Sequence, residues 1–386
     1  MRSKTWHMSN ETFCDVVISG SGIFTPGEHI SNKELVESFN HYVGQYNQTH
    51  SKDIAAGKTA ALEESSADFI TRVSGIKSRF VVNKSGILDP SIMFPQIKEF
   101  SDDGRSVQGQ MGERAALEAL RQASKAPEQV DAVIVACTAV QNLYPAIAIE
   151  IQGAIGAKGF AFDMQAACSS MLFGVQMAVD AICNKSANCV LVISPEICTA
   201  RVCYQDRETH FLFGDAAAAL LIEKKESCRS QHAFEILGTK LHTQFSDTVH
   251  NHFGFLNQAA SGNLKSADRL FAQDGKKLFK DIVPLASGYI RKHLDHAGVA
   301  VSDLKRLWLH QANSRINQLI SKKVFGRDAT PKESPLVMDK FANTSSAGAV
   351  IAFHEHNDDL VKGDIGVLCV FGAGYSIGSA VLRKYT

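Results

Sequence analysis

The chain has 386 residues, 45% of them hydrophobic and 21% charged, enough to bury a large core in one big domain or two closely packed ones, which excludes a disordered chain. Its 40 basic and 40 acidic residues cancel, so the electrostatic footprint of a nucleic-acid binder is absent and a small molecule or a protein is the expected partner. Nine cysteines (14, 137, 168, 183, 189, 198, 203, 228 and 369) lie scattered in apolar segments with no Cys-x-x-Cys pair, which fits a reduced cytoplasmic compartment and gives no zinc-type ligand spacing.

The opening MRSKTWHMSN lacks a continuous apolar run and a small-residue cleavage site, so no signal peptide is expected. No run of about eighteen uncharged apolar residues occurs anywhere, so no membrane span is expected either. In chain order, CDVVISGSG gives the first predicted strand. Residues 41–63 and 84–107 follow as polar stretches poor in periodic apolar positions, with loop composition such as Asp89-Pro90 and Ser101-Asp102-Asp103-Gly104; they read as insertions over the core or a pocket mouth. Strands are then predicted in QVDAVIVACTA, GFAFDMQ, NCVLVISPE and AAAALLIE, and afterwards in FEILGTKLH, LKRLWLHQ, IGVLCVFGAG and SIGSAVLRKY. Short β-branched runs alternating with helix-like stretches predict an α/β fold with strands covered by helices on both faces. The pattern plays twice. A strand entering a polar turn and helix occurs at DAVIVACTAVQN and again at LKRLWLHQANSR, and each half closes on a small-residue hairpin, FGDAAAALLIE and FGAGYSIGSAVL. Two halves are therefore expected, 11–225 and 226–386, joined near 224–232.

Cys168 lies in GFAFDMQAACSSMLFGVQMAVDAICN, an apolar strand, a small-residue turn and a largely apolar helix. At the first turn of such a helix, unpaired amides and the helix dipole favour a thiolate. A buried cysteine is ordinarily structural, which is the reading for Cys183, Cys189, Cys198 and Cys369. At Cys168 the flanking pairs Ala166-Ala167 and Ser169-Ser170 let a substrate approach the sulfur, which packing alone does not require. His310 ends the strand RLWLH, and Asn343 lies in a small-residue loop before a helix. Alone, the first reads as a satisfied polar residue and the second as an N-cap. Together with Cys168 they occupy three strand-to-helix junctions, which in layered α/β proteins gather at one edge of the sheet.

The segments AACSS, LHQANSR, FANTSSAG and FGAGYSIGSAVL resemble four signature regions of the β-ketoacyl-acyl-carrier-protein synthase III family of thiolase-fold condensing enzymes. The resemblance runs from VVISGSGIFTPGEHISN nearly to the end, apart from the two insertions, and includes DFITRVSGIKSRF, CTAVQNLYPAIAIEIQGAIGAKG and ARVCYQDRETHFLFGDAAAALLIE. It implies a thiolase-like fold of duplicated halves in an α-β-α-β-α layering. Classical thiolases and elongating synthases carry another residue in place of the asparagine, hydroxymethylglutaryl-CoA synthases use a glutamate, and plant-type polyketide synthases have different closing motifs.

The resemblance further implies an acyltransferase of fatty acid synthesis. Cys168 takes an acyl group from acyl-CoA, and malonyl-acyl carrier protein then loses carbon dioxide to give an enolate that attacks the thioester, with His310 and Asn343 stabilising the enolate oxygen. No cofactor and no metal are expected. The glycine triplet of the family reads Gly372-Ala373-Gly374 here, so the second oxyanion donor falls on Ala373, with Phe371 and Phe213 beside the substrate. Phe69 takes the place of an adenine-stacking tryptophan; the arginine partner position holds Val73, with Arg72 beside it. Lys276, Lys277, Lys280 and Arg315 match regions that dock the acidic carrier protein. The two insertions resemble those of members that use medium-chain primers such as octanoyl-CoA, in which an aromatic residue from the partner of a homodimer closes the acyl pocket, here Tyr144. Alternatives are an initiating synthase using acetyl-CoA, a thiolase-fold acyltransferase or enzyme joining two long acyl chains, a papain-like hydrolase, and a non-catalytic dimer partner. The last would have no chemical reason to keep all three site residues.

Overall fold

The computed structural model describes residues 15–100, 104–251 and 270–386. Cys14 and Ser101-Asp102-Asp103 of the second expected insertion lie outside the described residues. The strands are β1 (Val16–Phe24), β2 (Glu28–Ser31), β3 (Ser78–Val81), β4 (Ala132–Ala136), β5 (Phe160–Met164), β6 (Cys189–Ile197), β7 (Asp215–Lys224), β8 (Phe234–Ser246), β9 (Val249–His250), β10 (Ala272–Gln273), β11 (Leu304–Leu309), β12 (Ile365–Gly372) and β13 (Gly374–Lys384). The helices are α1 (Asn32–Thr49), α2 (Ser51–Ala55), α3 (Ala67–Ser74), α4 (Lys84–Leu88), α5 (Val107–Ala123), α6 (Ile147–Ile155), α7 (Ser170–Cys183), α8 (Gly275–His296), α9 (Ser314–Phe325), α10 (Met338–Phe341) and α11 (Gly348–Glu355).

The nine apolar runs picked out in the sequence are the nine strands of one hydrogen-bonded run, ordered β11-β12-β13-β8-β1-β7-β6-β4-β5. From β1 outward the pairings are antiparallel to β7, antiparallel to β6, then parallel to β4 and β5. From β8 outward they are antiparallel to β13, antiparallel to β12, then parallel to β11. The two sets meet only where Val17 faces Glu235 and Ile18 faces Phe234. Helices α7 and α11 pack one shared core against strands of both sets. Helices α5 and α6 cover the other face of the first set, and α8 and α9 that of the second. The layers are therefore helix, sheet, helix, sheet, helix, as expected. Contact between β1 and α5 is close enough to demand glycine: a Cβ at Gly22 would stand 2.2 Å from the Ala115 carbonyl oxygen.

Two expectations need correction. Residues 41–63 are not a plain loop. A capping box between Ser31 and Glu34 starts α1, whose apolar face (Leu35, Phe39, Val43) ends at Val43, yet the helix continues to Thr49 and α2 follows. Tyr46 stacks on His50 at 4.1 Å, and the Asn47 side chain exchanges hydrogen bonds with the Leu62 backbone, so local side-chain contacts hold what apolar periodicity does not announce. The second insertion is mixed, with α4 at its start and the first residue of α5 at its end. Cys183, read as a buried structural cysteine, is exposed at the last position of α7, because the apolar face of that helix closes with Ile182; Cys189, Cys198 and Cys369 are buried.

Candidate active site

Between β5 and α7 the chain turns sharply. Ala167 takes φ 50, a region that a Cβ disfavours, and the Ser170 hydroxyl pins the turn by accepting from the Ala166 N–H at 2.8 Å and donating to the Ala167 carbonyl at 2.6 Å. Cys168 follows, two positions ahead of the first helical residue rather than within the first helical turn. The hairpin turn of β12 and β13 locks onto it from the other half: a Cβ at Gly372 would lie 2.9 Å from the Cys168 nitrogen, and the Ser169 hydroxyl donates to the Ser376 carbonyl at 2.9 Å. The expected thiolate is not the resting form favoured here. Burial pushes the Cys168 thiol up, outweighing the opposing Ser345 hydrogen bond and the Arg201 charge.

His310 leaves β11 with its N–H bonded to the Cys369 carbonyl at 2.9 Å, and its ring meets the Phe371 ring edge-on at 5.1 Å. Burial lowers the imidazole to about 4, so it is neutral at physiological pH; Nδ1 has no hydrogen-bond partner among the described residues. Asn343 is not an N-cap. Its N–H donates to the Leu212 carbonyl at 3.0 Å and its carbonyl accepts from Gly214 at 3.1 Å, which stitches it to the segment carrying Phe213. The Asn343 Oδ1 accepts from the Ser345 N–H at 2.9 Å, leaving Nδ2 as the donor to spare. Ser345, at φ 51, stands among the three: its N–H holds Asn343 Oδ1, its hydroxyl favours the ionised Cys168 thiol, and its backbone favours the protonated His310 ring. Cys168 and His310 lie at strand-to-helix junctions as expected, whereas Asn343 follows the helix α10 rather than a strand; Ser345 acts on all three.

A cavity of about 250 Å³ opens on Cys168, walled by Ser345, Phe213, Ala373, Glu196 and Arg201. Phe371 is buried behind it against His310. The positive φ of the closing turn (128) falls on Gly374, so an alanine is accommodated at 373. Phe69 is faced by Arg207, whose guanidinium carbon stands 4.2 Å from the ring centroid, while Arg72 is exposed. Tyr144 is 85% exposed and does not line this cavity. Lys276, Lys277 and Lys280 are exposed on α8 and Arg315 on the first turn of α9. Sequence reasoning missed Glu196, Arg201, Arg207 and Thr138. Thr138, in CTAVQN, and Arg201 and Arg207, in ARVCYQDRET, lay in segments quoted for the resemblance, whereas Glu196 had only the signal of a strand. Among the described residues no group of three or more His, Cys, Asp or Glu is arranged to hold a metal ion.

The family model for 3-oxoacyl-[acyl-carrier-protein] synthase III matches residues 162–244, and the model for the C-terminal part of that family matches 294–384. The β-ketodecanoyl-[acyl-carrier-protein] synthase of Pseudomonas aeruginosa is 50% identical over 350 residues, covering 91% of this chain and 100% of its own. The β-ketoacyl-[acyl-carrier-protein] synthase III of Agrobacterium fabrum is 30% identical over 325 residues, 83% of this chain and 91% of its own. The crystal structure of 3-oxoacyl-[acyl-carrier-protein] synthase III from Aquifex aeolicus matches with a TM-score of 0.74 at 26% identity, covering 95% of this chain and 99% of the other. Both family models fall on the segments that carry the three junction residues, and identity at this level extends over whole relatives; the chain belongs to the β-ketoacyl-acyl-carrier-protein synthase III family of thiolase-fold condensing enzymes.

Proposed function

We propose that this synthase condenses a medium-chain acyl-CoA, centred on octanoyl, with malonyl-acyl carrier protein to give a β-ketoacyl chain two carbons longer. The observation that carries the chain length is 50% identity to a relative named for a ten-carbon product, which an eight-carbon primer and a two-carbon extension would make. Cys168 attacks the acyl-CoA carbonyl, whose oxygen is received by the N–H groups of Cys168 and Ala373, and CoA leaves. In the second half-reaction the enolate oxygen formed from malonyl is held by the neutral His310 imidazole and by Asn343 Nδ2, donors already aimed by Phe371 and by the Ser345 N–H. Phe69 is the stacking surface for adenine, and Arg207, rather than Arg72, is the cation that faces it. The exposed lysines of α8 and Arg315 receive the acidic carrier protein.

The chain acts as a homodimer in this reading. Tyr144, Leu143, Ile149, Phe160 and Phe162 are exposed together around β5, the terminal strand of the sheet, and a second copy would cover both the apolar patch and the open edge. Tyr144 would then reach the partner's acyl pocket. The units 11–225 and 226–386 are the two repeats, supported by their matching order of strand pairing. A cytoplasmic setting goes with the scattered cysteines; no helix among the described residues is long and apolar enough to cross a membrane.

Each methylene buried contributes up to about 0.8 kcal/mol, or about fourfold in kcat/KM, until the pocket wall is met. Across acyl-CoA primers from acetyl to dodecanoyl, kcat/KM is expected to climb to octanoyl and then fall, and Tyr144→Ala is expected to move the maximum to longer chains. A maximum at acetyl-CoA with steady decline would return the protein to the initiating role, and an unmoved maximum in Tyr144→Ala would remove the tyrosine from the pocket end.

A further inference from the structure

Glu196, one residue before the end of β6, has 2% of its surface exposed and lies in the wall of the catalytic cavity, and the chemistry above gives it no part. A carboxyl so placed needs donors, and those it has lead to the nucleophile. Its Oε1 accepts from the Thr138 N–H at 2.9 Å and the Thr138 hydroxyl at 3.0 Å, from the Ser346 N–H at 3.4 Å and the Ser346 hydroxyl, and from the Ser194 hydroxyl at 3.4 Å. The Thr138 hydroxyl is hydrogen-bonded to the Ser345 hydroxyl, and Ser345 stands beside Cys168 in the cavity wall, where its hydroxyl favours the ionised thiol. Ser345 Oγ, Thr138 Oγ1 and Glu196 Oε1 therefore form a hydrogen-bonded row that begins beside Cys168 Sγ, and along which each group can donate to the next.

His310 is a poor recipient for the thiol proton. Burial holds its imidazole at about 4, while it pushes the Cys168 thiol up, so the transfer would be steeply uphill. Burial instead raises Glu196 above the ordinary carboxylate range, which narrows the gap. The groups that act electrostatically with Glu196 are the Arg201 guanidinium, which favours its ionised form, and the thiols of Cys137, Cys168 and Cys198, of which the Cys198 sulfur stands 4.0 Å from Oε2.

We propose that Glu196 receives the Cys168 proton through Ser345 and Thr138 as the thiol attacks acyl-CoA, and returns it to the departing CoA sulfur along the same path. The inference rests on Cys168 being the acyl-carrying nucleophile. As the new C–S bond forms, the Cys168 S–H bond breaks; Ser345 takes that proton and passes its own to Thr138, which passes its own to Glu196. Collapse of the tetrahedral intermediate breaks the C–S bond to CoA, and the CoA sulfur, leaving beside Ser345, takes a proton back as each hydroxyl reverses. Acyl-CoA and thiol become acyl-thioester and CoA thiol, with no net proton change and no further reactant. Glu196 and Thr138 are positioning and relay groups, not groups that touch the acyl chain.

The test is the rate at which octanoyl-CoA acylates the full chain, read by mass spectrometry of the Cys168 adduct across pH. Glu196→Gln keeps an oxygen to accept from Thr138 and Ser346 but cannot take a proton; Thr138→Val removes one hydroxyl at nearly constant volume, and Thr138→Ser restores it. Glu196→Gln and Thr138→Val are expected to slow acylation about 100-fold at neutral pH, with the rate recovering about tenfold per pH unit as hydroxide replaces the relay, while Thr138→Ser stays near the parent. Release of product from preformed acyl-enzyme should change little. Acylation of Cys168 at the parent rate and pH dependence in both slow variants would overturn the relay, as would Thr138→Ser behaving like Thr138→Val. If Glu196→Gln does not fold, the Thr138 pair decides. An adduct on another cysteine in the parent would instead overturn the assignment of the nucleophile.

Discussion

Cys168→Ala is expected to reduce acyl transfer to below roughly a thousandth of the parent rate, and to leave no acyl adduct anywhere on the chain. The contrast is Cys198, whose thiol borders the same cavity. Burial and the nearby Glu196 and Asp215 carboxylates push Cys198 well above the ordinary thiol range, and its hydrogen-bonding contact is the Glu196 oxygen rather than a hydroxyl path. Cys168 has the strained turn, the start of α7 close by and the Ser345 hydroxyl, while the Arg201 charge acts on both thiols. Proximity to substrate thus does not suffice; the environment must also tolerate a developing thiolate. Mass spectrometry after incubation with octanoyl-CoA checks this, with Cys183→Ala as a control at an exposed position on the far end of α7. An adduct on Cys198 in Cys168→Ala, with turnover retained, would defeat the assignment.

Most strands were legible because they are short β-branched or apolar runs, several of them buried on both faces as VLCVF is, so composition marks them, although β5 with its exposed Phe160 and Phe162 shows that burial is not uniform. Helix α1 beyond Val43 was not legible, because past that residue the helix buries little and depends on pairings such as Tyr46 with His50 that carry no apolar rhythm. The site divided in the same way. Cys168 stood out at a strand-to-helix junction among small residues, whereas His310 and Asn343 were singled out by the resemblance of LHQANSR and FANTSSAG. The charge state of Cys168 did not follow from that position: the helix start is a local property, whereas desolvation comes from the opposing hairpin at Gly372 and from the walls contributed by both halves. Glu196 and Thr138 are the extreme case, since SPEI and CTAV read as the ends of two ordinary strands until parallel pairing of β4 with β6 sets them side by side.

His310→Ala and Asn343→Ala are expected to impair malonyl decarboxylation by 100-fold or more, on the order of a lost oxyanion donor, while changing Cys168 acylation far less. The reason lies in where each donor points. Neither side chain hydrogen-bonds the thiol; Asn343 Oδ1 is held by Ser345, Nδ2 is left for a ligand oxygen, and the neutral imidazole has a single N–H to offer. A neutral imidazole suits an enolate, since it donates without demanding a proton back, and His310 at about 4 stays neutral at all pH values above that figure. The decarboxylation rate should therefore show no imidazole titration between about pH 5 and 8. The lowered value also gives a sign: activity in this half-reaction is lost only as pH falls toward 4, where protonation would place an unpaired cation in the buried site. Asn343→Asp separates geometry from donation, because a carboxylate keeps the size of the side chain but presents acceptors to the enolate, and it should be at least as slow as Asn343→Ala. Single-turnover measurements of the two half-reactions decide the matter. Equal losses in both would make His310 the base that activates the thiol, and an imidazole titration near 6.5 in the decarboxylation step would mean that His310 is not held neutral by burial.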